Sequence, residues 1–165
     1  MIIISDTTPL ISLLKINRLD LLEKIFGKVF IPEGVFYELT ENKIYEREAE
    51  KIINSKFIET KKVSNKEAIM ILERTTSLDR GESEAIILFG EINAQLLLMD
   101  EKRGRKVAEK LNIPLSGTLG VLMLAFDKGL ITREQVHEYL NSFQRQSRRF
   151  NSSIINLVKA HVGYE

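Results

Sequence analysis

Two short, uniformly apolar runs in this 165-residue chain end on an aspartate: "IIIS" (2–5) runs into Asp6 and "LLLM" (96–99) into Asp100. Runs this uniform suit parallel strands buried on both faces, because a strand with one face in water would alternate. "VFI" (29–31) and "IPLS" (113–116) have the same character, while "KFIETKKV" (56–63) alternates more and reads as an edge strand. Helical patterns lie between them. "RLDLLEKIF" spaces Leu19, Leu22 and Phe26 as a helix does, and "PEGVFYELTENK" enters a helix through Pro32 and Glu33. Residues 44–54, 64–75, 82–92, 102–111, 118–128, 132–142 and 152–162 also read as helices. This alternation predicts an α/β domain with a mainly parallel sheet of four or five strands flanked by helices. No internal repeat, low-complexity tract or linker interrupts the chain, so one domain over 1–165 is expected. A domain of that size buries roughly 68–70% of its unfolded surface, enough for a core without staples.

In an open parallel sheet, ligands bind beyond the carboxyl ends of the strands. Asp6 and Asp100 both fall there, and if their strands are neighbours the carboxylates lie close together. Two anions at one low-dielectric edge drive each other towards protonation, a penalty that a divalent cation removes. The structural alternative is that each Asp caps the following helix. Glu38, in "PEGVFYELT", shares a helix face with Val35 and Asn42 and lies beside Leu39, so it is the acid of that segment expected to point inward. A lone helical Glu is otherwise usually solvated.

The segment "LDRGESEAIILFGE" (78–91) adds Asp79, Glu82, Glu84 and Glu91. Asp79 and Glu82 have capping-box spacing, which gives Glu82 a structural role. Glu84 has no such explanation and stands in the first helical turn, where the helix dipole favours an acid. Glu84 is therefore the expected ligand. Glu82 is second choice, since residues two apart on a helix point about 200° apart. The chain has no cysteine and only two histidines, His137 and His161, both in late helical segments away from these acids. Oxygen ligands remain, and they favour Mg²⁺ or Mn²⁺ over zinc. Four carboxylates from separate segments, Asp6, Glu38, Glu84 and Asp100, suit metal-assisted phosphodiester hydrolysis.

Polar neighbours fit the same edge. Thr7 and Thr8 follow the first acid, placed to support a ligand or to cap the helix ahead of Pro9. In "SGTLG" (116–120), Ser116 or Thr118 is placed to cap the next helix or to hydrogen-bond a ligand. Directly after Asp100 comes "EKRGRK", with Lys102, Arg103, Arg105 and Lys106 beside the single acid Glu101. Cations at a helix start oppose its dipole, so phosphate contacts explain them as well as a solvated face does. A second cluster, "RQSRRF" with Arg145, Arg148 and Arg149, is open to RNA, to an acidic partner tail or to solvent.

Together "SDTTPLI", "IPEGVFYEL", "LDRGESEAI" and "LLLMDEKRGRKVAEKLNIPLSGTLGVLMLAFDKGLI" resemble the PIN-domain superfamily, and more closely a family of small PIN-like prokaryotic proteins related to VapC-type toxins. The resemblance covers residues 2–131 in order, leaving C-terminal helices over 132–165. It implies a metal-dependent endoribonuclease on a Rossmann-like sheet, with Mg²⁺ or Mn²⁺ as cofactor. The family's acids fall on Asp6, Glu38, Glu84 and Asp100, with Glu82 and Glu101 as further acids nearby. PIN domains often carry Asp in the third position, whereas this chain has Glu84. The resemblance further implies an RNA substrate, a homodimer and a small antitoxin partner.

Other classes fit less well. With a net charge of +1 the chain has no global basic field. Its apolar runs fall short of the roughly 20 residues that span a bilayer. "MIIISD" lacks a basic leader region and a small-residue cleavage site, so a soluble, cytoplasmic protein without a membrane partner is expected. No G-x-S-x-G elbow marks a serine hydrolase. An aspartyl phosphotransferase wants an acid two residues after Asp6, where Thr8 stands. A PIN-like module that binds without cleaving is the alternative reading.

Overall fold

The structure, a computed structural model, describes residues 1–146 and 150–164. Five strands form one sheet: β1 (Ile3–Ser5), β2 (Val29–Pro32), β3 (Ile58–Lys61), β4 (Leu96–Leu98) and β5 (Leu115–Ser116). Their order is β3-β2-β1-β4-β5, and every pairing is parallel. The less apolar β3 is an edge strand, as its alternation predicts. The helices are α1 (Thr7–Lys15), α2 (Asp20–Phe26), α3 (Glu33–Glu41), α4 (Glu46–Ile53) and α5 (Lys66–Thr75). They continue with α6 (Arg80–Glu91), α7 (Lys102–Lys110), α8 (Thr118–Asp127), α9 (Arg133–Arg145) and α10 (Ser152–His161).

Strand periodicity divides the core in two. Ile3, Val29, Ile31 and Leu98 point to one face and pack with residues of α1, α2, α3 and α8. Ile4, Leu97 and Met99 point to the other and pack with α6 and α7. Ile3 and Ile4 are both fully buried, and each such side chain contributes roughly 1.5–3 kcal/mol of transfer free energy. Covering both faces is what lets the strands be apolar throughout.

Two local readings change. The helix expected over 44–54 begins as a 3₁₀ turn, Lys43–Tyr45, because the Asn42 side chain accepts the Ile44 N–H and tightens the entry. The helix expected from residue 82 starts at Arg80, because the Asp79–Glu82 capping box closes a turn earlier. In the second basic cluster, Arg145 ends α9, exposed, while Arg148 and Arg149 lie outside the described residues. Among the described residues no helix is long and apolar enough to cross a membrane.

The strand order reverses at β1. From there the chain builds β2 and β3 on one side, and β4 and β5 are added on the other. Ligands bind at such a switch point, beyond the carboxyl ends of the two central strands. Asp6 follows β1 and Asp100 lies two residues after β4, so both reach that crevice.

Candidate active site

Asp6 is held to the β4 edge by its own N–H, which donates to the Leu98 carbonyl at 2.9 Å. It occupies the N-cap position of α1, yet its side chain makes no capping hydrogen bond. Capping therefore does not explain this carboxyl, which is only 3% exposed. Burial pushes its pKa up to about 8, and the carboxylates of Glu82, Asp79 and Glu38 push the same way, against a Thr7 backbone hydrogen bond that lowers it.

Glu38 reaches Asp6's surroundings from α3. The Thr7 hydroxyl donates to its Oε2 at 2.7 Å, tying the start of α1 to α3. The Thr8 hydroxyl stands 3.5 Å from Glu101 Oε1, at the limit of a hydrogen bond.

Glu82 is the acid that α6 brings to Asp6. Its Oε2 accepts the Asp79 N–H at 2.9 Å, completing a capping box whose other bond runs from the Glu82 N–H to Asp79 Oδ1 at 2.8 Å. Its Oε1 remains directed outward and accepts from Arg103 Nε at 3.1 Å. Glu82 is buried, at 2% exposure, and burial raises its pKa above the ordinary carboxyl range. The same guanidinium reaches Asp79 Oδ2 through Nη2 at 3.3 Å.

Glu84 lies elsewhere. Two residues along α6, it turns away from Asp6, pairs with Arg80 Nε at 3.0 Å and accepts the Gly34 N–H. A Cβ at Gly34 would run into Glu84 Oε2, so glycine is what allows this approach. Of the two α6 acids it is Glu82, the second choice from the sequence, whose charge acts on Asp6, while Glu84, the expected ligand, pairs with Arg80 and Gly34; residues two apart on a helix point about 200° apart. The capping role of Glu82 does not exclude a second role, since each of its two oxygens has its own partner.

Asp100 is fixed from the other side of the crevice. The Thr118 N–H donates to its Oδ1 at 2.8 Å and the Thr118 hydroxyl to its Oδ2 at 2.6 Å. Thr118 is fully buried at the start of α8, and Gly117 before it leaves room for the carboxylate, since a Cβ there would collide with Asp100 Oδ1. Ser116, the other hydroxyl singled out, ends β5 with its Oγ packed over Gly120. Glu101 lies exposed beside Thr8.

The four cations after Asp100 separate. Arg103 turns to Glu82 and Asp79, and Arg105 Nη1 donates to the Met99 carbonyl at 2.8 Å. Lys102 and Lys106 are exposed on α7. The role of Arg103 as a counterion to the acids, and the place of Asp79 beside Asp6, escaped the sequence reading. The capping-box spacing was the available signal, because it ties Asp79 to the helix end that carries Glu82.

Among the described residues, no three Asp, Glu or His side chains stand as a closed ligand cluster. The donor set nonetheless fits a hard divalent cation. A buried carboxyl without a capping bond faces three further carboxylates, all oxygen donors, and Arg103 offsets Glu82 and Asp79. His161 pairs with Asp127 at 2.7 Å and His137 stacks on Tyr164, both on the C-terminal helices. A family model described as a PIN domain matches residues 2–164. No curated protein matches the chain.

Proposed function

The chain belongs to the PIN-domain family, whose members are generally nucleases, and on that premise we propose that it is a Mg²⁺- or Mn²⁺-dependent endoribonuclease. The observation that carries this reading is the buried Asp6 carboxyl, facing Glu38, Glu82 and Asp79 at the switch point of the sheet. Asp6, Glu38, Glu82 and Asp100 would hold the cation. When bound, a divalent cation activates water for attack and offsets the charge that builds on the scissile phosphate.

The chain's own residues supply position. Thr118 fixes both oxygens of Asp100, and Thr7 fixes Glu38, so neither carboxylate pays side-chain entropy afresh on ligand binding. The capping box holds Glu82 with one oxygen free of the helix. Burial of Asp6 keeps water from screening its attraction to a cation. Lys102, Arg105 and Lys106 stand beside Asp100 as phosphate contacts. The resemblance of the sequence motifs to VapC-type toxins is what supports a toxin role, and an antitoxin partner, a homodimer and a cytoplasmic site of action belong to the same proposal.

The test is cleavage of a labelled single-stranded RNA with Mn²⁺ and with chelator. Asp6→Asn and Asp100→Asn abolish metal-dependent cleavage while the protein stays folded; full activity in either variant overturns the assignment. One observation favours a second reading: Arg103 already engages Glu82 and Asp79. In a binding module that no longer cleaves, that contact is permanent, and the wild-type protein takes up no Mn²⁺ at millimolar concentration.

A further inference from the structure

Beside Asp100, the α7 helix and the segment leading into α10 enclose a groove of about 560 Å³. That volume lies within the roughly 300–1,000 Å³ range of small-ligand pockets. Its walls differ in chemistry. One is the α7 face that carries Lys102, Arg105 and Lys106, and the other carries the Phe150 ring and Ile154. A smaller adjoining hollow of about 280 Å³ shares Asp100, Arg105, Phe150 and Ile154, and continues the apolar side through Leu115 and Met123.

Three features point to one kind of occupant. Lys102 and Lys106 have no ion-pair partner among the described residues, and Lys102 opens α7, where the helix dipole disfavours a cation, with Lys106 one turn further along. Both project from the side of α7 that lines the groove. Glu101 and Glu109 also lie in the lining, but the Glu101 carboxylate approaches the Thr8 hydroxyl and Glu109 stands about a helical turn beyond Lys106, away from Asp100. Lys102, Arg105 and Lys106 thus line the wall beside Asp100, where the cation of the proposed site would offset the Asp100 charge. Phe150 is anchored edge-on against the buried Phe143, with ring centroids 5.4 Å apart, which fixes its plane at the wall of the groove. Ile154 remains 46% exposed on the same wall.

We propose that this groove binds one nucleotide of a single-stranded RNA next to the scissile phosphate, with Phe150 and Ile154 receiving the base and Lys102, Arg105 and Lys106 the adjoining phosphate. The inference rests on the endoribonuclease reading and adds the subsite at which the substrate's base is held. A cationic rim over an aromatic platform is how single strands are gripped without base-edge readout. Duplex RNA does not fit, because its bases are stacked and unavailable to the groove. Asp100 lines the groove, so the subsite adjoins the acids.

The test is binding of a fluorescein-labelled RNA octamer to the full chain carrying Asp6→Asn, which prevents cleavage, followed by anisotropy across a salt series. Lys102→Ala and Lys106→Ala each reduce the slope of log affinity against log salt by about 0.7. Phe150→Leu, which keeps an apolar contact with Phe143, weakens binding roughly five-fold or more. An RNA abasic at one position next to the cleaved bond shows the same loss, and combining it with Phe150→Leu adds nothing further. The lysine changes are on the surface, so they decide the matter even if the Phe150 variant melts early. Unchanged slopes and no abasic position coupled to Phe150, with wild-type cleavage intact, overturn this subsite alone; a groove that takes a protein gives that result. Wild-type protein that neither binds nor cleaves RNA overturns the endoribonuclease reading as well.

Discussion

Arg103 Nε lies 3.1 Å from Glu82 Oε1, although Glu82 is 2% exposed and Arg103 comes from the next strand–helix unit, 21 residues on. The guanidinium thus stands at the mouth of the acid group as the chain's own cation, and it also holds Asp79.

A resident cation competes with an incoming one. Replacing Arg103 with Met keeps much of the side-chain bulk and removes the charge. Mn²⁺ affinity of Arg103→Met should rise about five-fold, the size of a ~1 kcal/mol charge–charge interaction at a half-exposed position. Calorimetric titration against wild type measures it. Equal or weaker affinity would mean that Arg103 supports the metal-binding arrangement instead of opposing it.

The two glutamates of α6 should separate cleanly. Glu82→Gln removes a carboxylate facing Asp6, so Mn²⁺ uptake and RNA cleavage should both be lost. Glu84→Gln breaks the pair with Arg80 and weakens the bond from the Gly34 N–H. That costs about 1–3 kcal/mol of stability and leaves cleavage in place. Urea melts and cleavage rates on both variants decide which acid serves which purpose.

Asp100 depends on what lies behind it. Gly117→Ala puts a methyl group against Asp100 Oδ1, and Thr118→Val removes the hydroxyl bound to Oδ2. Both variants should keep their far-UV circular dichroism and lose at least ten-fold in metal-dependent cleavage, since a displaced ligand is misaligned for every turnover. Wild-type rates in both would show that Asp100 needs no such support.

Stability of the metal-free protein should fall as pH rises. Asp6 titrates near 3.8 in an unfolded chain and at about 8 in the folded one. The folded state therefore keeps a proton that the unfolded state gives up. The stabilisation is complete below about pH 4 and is lost as pH rises through about 8. The swing amounts to several kcal/mol by linkage, and Glu82, also raised by burial, adds in the same direction. Thermal melts between pH 5 and 9 in chelator should show it, and Asp6→Asn should flatten the profile.

Much of this was legible in the sequence because burial leaves a clear mark on a short strand. Ile3, Ile4, Leu97 and Leu98 are apolar on both sides, and both sides of the sheet are covered. Asp6 and Asp100 stood out because each ends such a run. Glu82 and Glu84 were harder, because both lie in the first turns of one helix and both end up buried. Periodicity says they point apart but not which points to Asp6; that depends on how α6 rotates against β1 and α3. Arg103 was invisible for a related reason. Its partners are 21 and 24 residues away, and nothing in a run of four cations distinguishes the one that turns inward.

In the proposed mechanism Asp6 draws a cation into the crevice with Glu38, Glu82 and Asp100. Calorimetric titration of Mn²⁺ into wild-type protein and Asp6→Asn, at pH 7.5 after chelator treatment, tests it most directly. Wild type should take up Mn²⁺ and release protons as it does so, while Asp6→Asn should show neither at millimolar metal. Equal Mn²⁺ binding by the two proteins, or none by either, would rule out Asp6 as a metal ligand.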